Sequence, residues 1–370
     1  MMSLRSLPSE LREEMTRLRQ GQARYSNPFF APDLIPILSE AREDLRLYYE
    51  TNDQGLSWYF PLHVDRSGVA RGLGAAFSDR NGPVLAPDTE FDLQAFLKTN
   101  GLRKFVTEGL VLPGQDSHPS LTTAPDNLSY VGHDAASFLE DQRAAHPSFF
   151  KRLRRLERKL GREQGELRYT FDDRDDAALD WLIRTKREQY IRSRHHDVLR
   201  PEWTHQMIRS LWRCSSDSLR LRLSTLRVGD TMVAGELNLQ SDQYLHGWIV
   251  AFDRDYAKYS PGNLLIRFVL SSLPDHGLNT YSSGVGGEHY KKYFTNAQEP
   301  LGQGVLRPTQ TGLSLSKATQ SLWSYAETHG AKPVSHTLQR IRRRSEKICA
   351  TEIGVWPRLR GHIGALQVEI

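Results

Sequence analysis

The sequence has few cysteines and no long apolar run, and both absences narrow the class of protein. Cys214 and Cys349 are the only cysteines among 370 residues, and their separation fits neither a zinc site nor a disulfide framework. The longest apolar runs, such as residues 247–252, are far shorter than the roughly 20 residues of a membrane helix. The first ten residues lack the apolar core of a secretory signal. We therefore expect a cytoplasmic protein with no bound metal.

A strong charge of one sign is also lacking. The 49 Lys and Arg residues exceed the 44 Asp and Glu residues by only five, so the position of the basic residues matters more than their number. Hydrophobic residues make up 38% of the chain and charged residues 25%, which excludes a wholly disordered or fibrous protein. At roughly 150 residues per domain, the length predicts two compact units.

The order of predicted elements indicates a mixed sheet covered by helices. A meander of strands between residues 45 and 77 is followed by a helix and a strand. In the second half, a hairpin turning at Val228-Gly229-Asp230-Thr231 and a third strand, Tyr244 to Phe252, precede alternating helices and strands. This order predicts an α/β fold with a mixed, mostly antiparallel sheet flanked by helices. The first half repeats the order in abbreviated form, which we interpret as a duplication.

Four parts follow from this pattern. Residues 1–24 are predicted to form a loosely packed helical lead, and residues 25–126 a first, abbreviated domain. A Gly-, Ser-, Thr- and Pro-rich stretch before the boundary reads as a connecting loop. Residues 127–308 are predicted to form the second domain, and residues 309–370 a basic helical tail.

The strongest candidate site is the start of a helix at Ser260-Pro261-Gly262, just after a strand. The first turn of a helix exposes N–H groups and the positive end of its dipole. Gly262 lets a ligand approach the backbone, and Ser260 is a suitable N-cap. These features predict a diphosphate site, with a plain helix start as the alternative.

A second candidate is the segment from Ser282 to Phe294. It leaves a strand through Gly284, Gly286 and Gly287 and enters a helix predicted over Glu288–Thr295. Loops that follow strand ends bind ligands in helix-covered sheets. The alternative is a flexible turn followed by a solvated amphipathic helix.

Residues 127–308 resemble the acetyltransferase-type domain of CelD-like cellulose- and envelope-biosynthesis proteins, relatives of the GNAT acyltransferases and the FemAB aminoacyltransferases. The features that carry the likeness are the basic helix 149–162, Val233-Ala234-Gly235-Glu236, the aromatic strand closing with Asp253, Ser260-Pro261-Gly262, and Glu288-His289-Tyr290-Lys291. Asn27-Pro28-Phe29-Phe30 resembles the start of these proteins. The family usually has an Asp near position 282 and an acidic or small residue near position 287, where this chain has Ser282 and Gly287.

The resemblance implies a tandem GNAT-like fold with acyl-coenzyme A, carrying an acetyl or longer chain, as co-substrate. The donor-binding residues that it implies are the strand backbone near Trp248 and Ile249, the helix start Ser260, Pro261, Gly262, Asn263 and Leu264, and Lys291 beside a phosphate.

The same resemblance implies four candidate catalytic residues. His246 and Glu236 are candidate bases for the amine, Asp253 is expected to orient the acceptor, and Tyr290 is expected to protonate the leaving thiolate. Three of them also have a structural alternative: His246 as a satisfied sheet histidine, Asp253 as a strand-end cap, and Tyr290 as an amphipathic helix residue.

The basic helix 151–162 carries seven basic residues and one acid. Leu153, Leu156 and Leu160 form one apolar stripe, so we expect the helix to dock with its cations outward. Three interpretations stay open: a solvated face, a clamp for an anionic substrate or tRNA, or a weak contact with an anionic membrane surface.

The leading hypothesis is an acyl-coenzyme A-dependent N-acyltransferase that acts on the amine of an amino sugar, an amino acid or a cell-envelope precursor, as in polysaccharide biosynthesis. The alternatives are a FemAB-like aminoacyl-tRNA-dependent transferase and a non-catalytic binding protein with a degenerate transferase fold. FemAB enzymes usually carry a coiled-coil insertion, which is not visible here, so tRNA is the less favoured partner. No DNA-recognition signature is present.

Overall fold

The computed structural model describes residues 7–111, 120–214, 218–286, 289–308 and 344–366, together with Leu4, Ser216 and Ile341. Most of the predicted basic tail lies outside this part of the chain, as do Gly287 and Glu288. The strands are β1 Leu45–Asn52, β2 Gly55–Val64, β3 Val69–Gly72, β4 Val84–Leu85, β5 Lys104–Leu110, β6 Leu121–Tyr130, β7 Leu167–Thr170, β8 Arg220–Val228, β9 Thr231–Ser241, β10 Tyr244–Phe252, β11 Thr280–Val285 and β12 Ala297–Leu306.

Helices pack on both faces of these strands. They are α1 Ser9–Arg19, α2 Leu34–Ala41, α3 Leu93–Thr99, α4 Ala135–Ala145, α5 Pro147–Gln164, α6 Asp176–Arg192, α7 Glu202–Arg213, α8 Pro261–Ser272 and α9 Val355–Leu366. Residues 344–351 are also helical. Within the described ranges, no helix has the length and apolar character that crossing a bilayer demands.

All twelve strands form one mixed sheet, in the order β1-β2-β3-β5-β12-β6-β11-β10-β9-β8-β7, with β4 paired to β2. Two neighbouring pairs are parallel, β3 with β5 and β10 with β11, and each is joined by a crossover helix, α3 or α8. The other pairs are antiparallel. The predicted α/β fold with a mixed, mostly antiparallel sheet is confirmed.

The two halves exchange their last strands. β6 follows β5 in the chain but pairs with β11, whereas β12 follows β11 and pairs with β5. β6 and β12 then pair with each other at the centre of the sheet. The proposed boundary at residue 126 falls inside β6, and residues 121–125, predicted as loop, are strand because β12 supplies them with a partner. Local turn-forming composition was overridden by this long-range pairing.

The docking of α5 agrees with its pattern. Leu153 and Leu160 are buried on the second half, and Lys151, Arg155 and Arg158 are exposed. The predicted cation-outward orientation is therefore confirmed.

The prediction of a loosely packed N-terminal helix is wrong. Met15 is fully buried and Arg19 is only 2% exposed. The Arg19 guanidinium donates to Ser241 and to Asp242, at 2.7 Å each. This helix therefore contacts the β9–β10 turn of the second half. The two bonds offset the free-energy cost of burying the Arg19 charge, which would be high without a partner.

A buried ion network joins the halves at the centre of the sheet. Arg80 of the first half donates through Nε to Asp126 at 2.7 Å and through a terminal nitrogen to Glu299 at 2.5 Å. Asp126 is fully buried and also accepts from the Ser282 hydroxyl of β11 at 2.8 Å. One guanidinium thus neutralises carboxylates of both exchanged strands.

We predict that Arg80→Ala strongly destabilises the fold, because it leaves the Asp126 carboxylate buried without its counterion. The expected loss in the free energy of unfolding is about 3–5 kcal/mol, measured by urea denaturation at pH 7. Arg143→Ala is the control, since Arg143 and Glu140 form an exposed pair worth less than about 1 kcal/mol. Equal losses for the two variants would contradict a coupling role for Arg80.

Candidate active site

β10 carries a bulge at its middle. Its register with β9 shifts between Gly247 and Ile249, which leaves Trp248 as the extra residue. Trp248 packs edge-on against Phe29, and Ile249 belongs to the same hydrophobic cluster, so two successive residues share one face. A bulge of this kind bends its strand and increases its twist.

Beyond the bulge, β10 parts from β11. The parallel pairing covers three residues and ends at His246 opposite Ser282, although β10 continues to Phe252 and β11 to Val285. We call the space between the two strands beyond this last pair the cleft. Backbone groups of β10 on this edge have no partner in β11, which is costly unless a side chain or a ligand supplies one.

α8 begins just past the end of β10, with Pro261 in its first turn. Ser260 occupies the N-cap position as predicted, but it is in the left-handed conformation (φ 55°) and its hydroxyl makes no capping bond. The first-turn N–H groups are therefore not taken by this side chain. A Cβ on the half-buried Gly262 would meet the Phe252 ring at an ordinary 3.7 Å. This arrangement fits the approach of a phosphate group.

The two candidate bases lie on opposite faces of the sheet. His246 is fully buried on the face covered by α6 and the N-terminal segment, with its ring edge-on to Phe29. Glu236 is 3% exposed on the face covered by α8, where the Tyr281 hydroxyl donates to it at 2.8 Å. Burial raises the pKa of Glu236 to about 7, although the bond from Tyr281 lowers it. The structure thus separates two residues that the sequence placed on neighbouring strands.

A carboxylate from the first half lies beside His246. The Asp79 Oδ2 atom is 3.5 Å from His246 Nε2, and Asp79 belongs to the loop between β3 and β4. Although burial raises the pKa of Asp79, His246 and the more distant Lys291 and Lys347 hold it below its usual range. Sequence reasoning missed Asp79, because no local pattern marks a loop residue that only the tertiary fold brings to β10.

Lys186 of α6 is a second residue that the sequence did not single out. Its ammonium group donates at 3.0 Å to the carbonyl of Val250, beyond the point where β11 leaves β10. Burial, with a contribution from Lys347, lowers the pKa of Lys186 to about 8. A basic amino group therefore lies against the parted section of β10.

Three further predicted residues, Asp253, Tyr290 and Lys291, make contacts with the surrounding fold. Asp253 caps the 3₁₀ turn Arg254–Tyr259 by accepting from the Asp255 amide, which matches its structural alternative. Tyr290 is half-buried against the cluster beneath α8. Lys291 is 5% exposed and donates to the carbonyls of Gly284 and Val285 at 3.1 Å each, so its ammonium group is directed at the end of β11.

The predicted helix over Glu288–Thr295 is wrong. The described residues form a turn and a short 3₁₀ helix, Lys291–Tyr293. Lys291 donates back to β11, and the Asn296 amide donates to the Leu128 carbonyl of β6, so the chain is already paired with β6 at the residue before β12. Among the described residues, no group of His, Cys, Asp and Glu is arranged to hold a metal ion.

The part of the chain that carries β10, α8 and β11 matches a known domain family. Residues 147–292 match the acetyltransferase (GNAT) domain family, and this segment contains β10, the bulge, α8 and β11. No curated protein matches the chain. The chain therefore contains a GNAT-type acetyltransferase domain, and its fold is GNAT-like.

This chain aligns with several solved structures over nearly the whole length of those structures. The C-terminal domain of a putative lysylphosphatidylglycerol synthetase from Agrobacterium fabrum has 11% identity and a TM-score of 0.50, covering 86% of this chain and 96% of that one. FemX has 9% identity and a TM-score of 0.52, covering 84% and 98%. A tandem GNAT protein from the clavulanic acid biosynthesis pathway has 10% identity and a TM-score of 0.42, covering 83% and 98%. At these identities, the first two likenesses show a shared fold.

We predict that Glu236 makes stability depend on pH. Its pKa rises from 4.5 unfolded to about 7 folded, so the folded state favours the protonated acid. The contribution of Glu236 to the free energy of unfolding is fully present below pH 4.5 and is lost as pH rises through 7. At about 1.4 kcal/mol per pKa unit, Glu236→Gln is expected to remove about 3 kcal/mol of this dependence, measured by urea denaturation between pH 4 and 8.

Glu166→Gln is the control, because Glu166 is exposed on the same half and its replacement should leave the pH profile unchanged. A Glu236→Gln protein with the wild-type slope would show that this carboxyl stays ionised in the fold.

Proposed function

We propose that the protein is an acyl-coenzyme A-dependent N-acyltransferase that transfers an acetyl or longer acyl group to the amine of an amino sugar, amino acid or cell-envelope precursor in the cytoplasm. The observation that carries the proposal is the cleft: β10 bulges, leaves β11 after His246, and is followed by a helix whose first turn is open at Gly262. The likeness to CelD-like proteins suggests a role in envelope polysaccharide biosynthesis.

The donor is proposed to lie along the parted edge of β10. The N–H groups of α8, beside Gly262 and Asn263, would bind the diphosphate. Backbone groups near Trp248 and Ile249 would hydrogen-bond the thioester carbonyl and stabilise the oxyanion. Because Lys186 now donates to the Val250 carbonyl, a donor that pairs with this edge would have to displace its ammonium group.

The acceptor is proposed to approach on the face of α6. Acyl transfer joins the amine nitrogen to the acyl carbon and breaks the carbon–sulfur bond, and the ammonium form must lose two protons. One proton leaves before attack, for which the Asp79 carboxylate, held by His246, is the proposed acceptor. Tyr290 is the proposed donor of the proton that the thiolate takes up, and the second proton of the amine nitrogen replaces it. Glu236 lies on the opposite face, enclosed under α8, so we favour the Asp79 carboxylate as base.

We expect acetyl- and longer acyl-coenzyme A to raise the melting temperature, because a ligand that binds only the folded state stabilises it. Gly262→Glu is expected to abolish the shift, since it adds bulk and negative charge at the first turn of α8. The measurement is a thermal-shift titration with each donor.

Ser271→Glu is the matched control: it adds the same charge to the exposed last turn of the same helix and should keep the shift. Absence of a shift in the wild type with every acyl donor, together with salt-sensitive tRNA binding, would favour the FemAB-like alternative. Absence of both would favour a non-catalytic binding protein.

A further inference from the structure

The first half has a parted strand pair of its own, and its own chain fills it. β3 and β5 pair in parallel over three residues, ending at Arg71 opposite Val106, as β10 and β11 do. Beyond that point the Asn81 amide donates to the Gly109 carbonyl and the Asn81 carbonyl accepts from Val111, at 2.8 Å each. The position that corresponds to the donor cleft is therefore occupied by backbone in the first half.

The same segment directs Asp79 into the cleft of the second half. One carboxylate oxygen is 3.5 Å from the His246 ring, at the last paired residue of β10. On the other side, Gly284 of β11 has φ +78°, and a Cβ there would collide with the Asp79 carboxylate. Asp79 thus lies between the two strands at the point where they separate.

The side chains of Asp79 and His246 differ in their exposure to solvent. The Asp79 side chain is 39% exposed, whereas the His246 side chain is fully buried. The carboxylate, not the imidazole, is therefore the group that a molecule in the cleft would meet.

The contact between His246 and Asn27 assigns the proton on the imidazole ring. Its Nδ1 atom lies 3.5 Å from the amide nitrogen of Asn27. An amide nitrogen only donates, so Nδ1 accepts and the proton is assigned to Nε2, directed toward Asp79. The other charged groups near this carboxylate are Lys291, whose ammonium group bonds to β11, and the exposed Lys347.

We propose that Asp79, supplied by the first half, binds the ammonium group of the acceptor at the mouth of the cleft, and that His246 is a positioning residue that holds this carboxylate. The proposal rests on the function proposed above and names the role of the first half within it. A carboxylate beside the thioester position attracts a cationic amine and orients its nitrogen by charge-assisted hydrogen bonds. In this proposal the second half binds the acyl donor and the first half binds the acceptor amine.

The test is Asp79→Asn, which keeps the shape of the side chain and removes its charge. Amine-dependent release of the coenzyme A thiol is measured with D-glucosamine and L-lysine as probes, alongside the thermal shift with acetyl-coenzyme A. We expect the KM for the amine to rise about 10- to 100-fold, the size of a lost charge-assisted bond. The thermal shift with acetyl-coenzyme A should be retained.

Two further variants separate recognition from folding. Asp88→Asn is the control, because Asp88 is exposed in the same half and is already left-handed (φ 62°), a conformation that Asn adopts readily. It should leave both measurements unchanged. His246→Phe keeps a ring of similar shape without the N–H, and a positioning role predicts a smaller rise in the amine KM with the donor shift kept.

An amine KM within twofold of wild type in Asp79→Asn would overturn the assignment, as would loss of the acetyl-coenzyme A shift in that variant. A wild-type protein that binds acetyl-coenzyme A but acetylates neither probe would also count against an ammonium site at Asp79. Failure of the proposed function is distinct, since it would appear as absence of the donor shift in the wild type.

Discussion

The separation of β10 from β11 is the constraint on which the rest of the site depends. Two parallel strands that stop pairing leave backbone N–H and C=O groups exposed at the centre of a sheet, where each unpaired group is costly. The bulge at Trp248 lies two residues beyond the last pair of β10 and β11, and Lys186 offsets part of the cost of the separation by bonding to Val250. A donor whose amides can pair with the same edge would satisfy these groups, which is why such an opening is a natural place for a ligand.

The exchange of last strands keeps this opening in place. β6 and β12 cross between the halves, and Arg80 neutralises Asp126 and Glu299 on them. Asp79 is the neighbour of Arg80 in the chain, so the network that joins the halves also fixes the carboxylate at the cleft. A residue from one half can complete the site of the other because the sheet is continuous.

Regular, local patterns predicted much of the fold. The Gly229-Asp230 turn indicated the hairpin, and Ser260-Pro261-Gly262 after a strand indicated the start of α8. Prediction failed where pairing is long-range. Residues 121–125 are strand because they pair with β12, and residues 289–295 form a turn and a short 3₁₀ helix that lead into the pairing with β6. The candidate bases were found by residue type, but the face on which each lies depends on the register between β9 and β10, which no local spacing records.

The sequence by itself determined most of the order of strands and helices, the helix start after β10, and the basic, outward face of α5, since each follows from periodicity and residue type over a few turns. Only the tertiary structure decided that His246 and Glu236 lie on opposite faces, that Asp79 stands beside His246, and that the gap of the first half is filled by Asn81. These are contacts between distant segments, and their free energy depends on burial and pairing that exist only when the sheet is assembled.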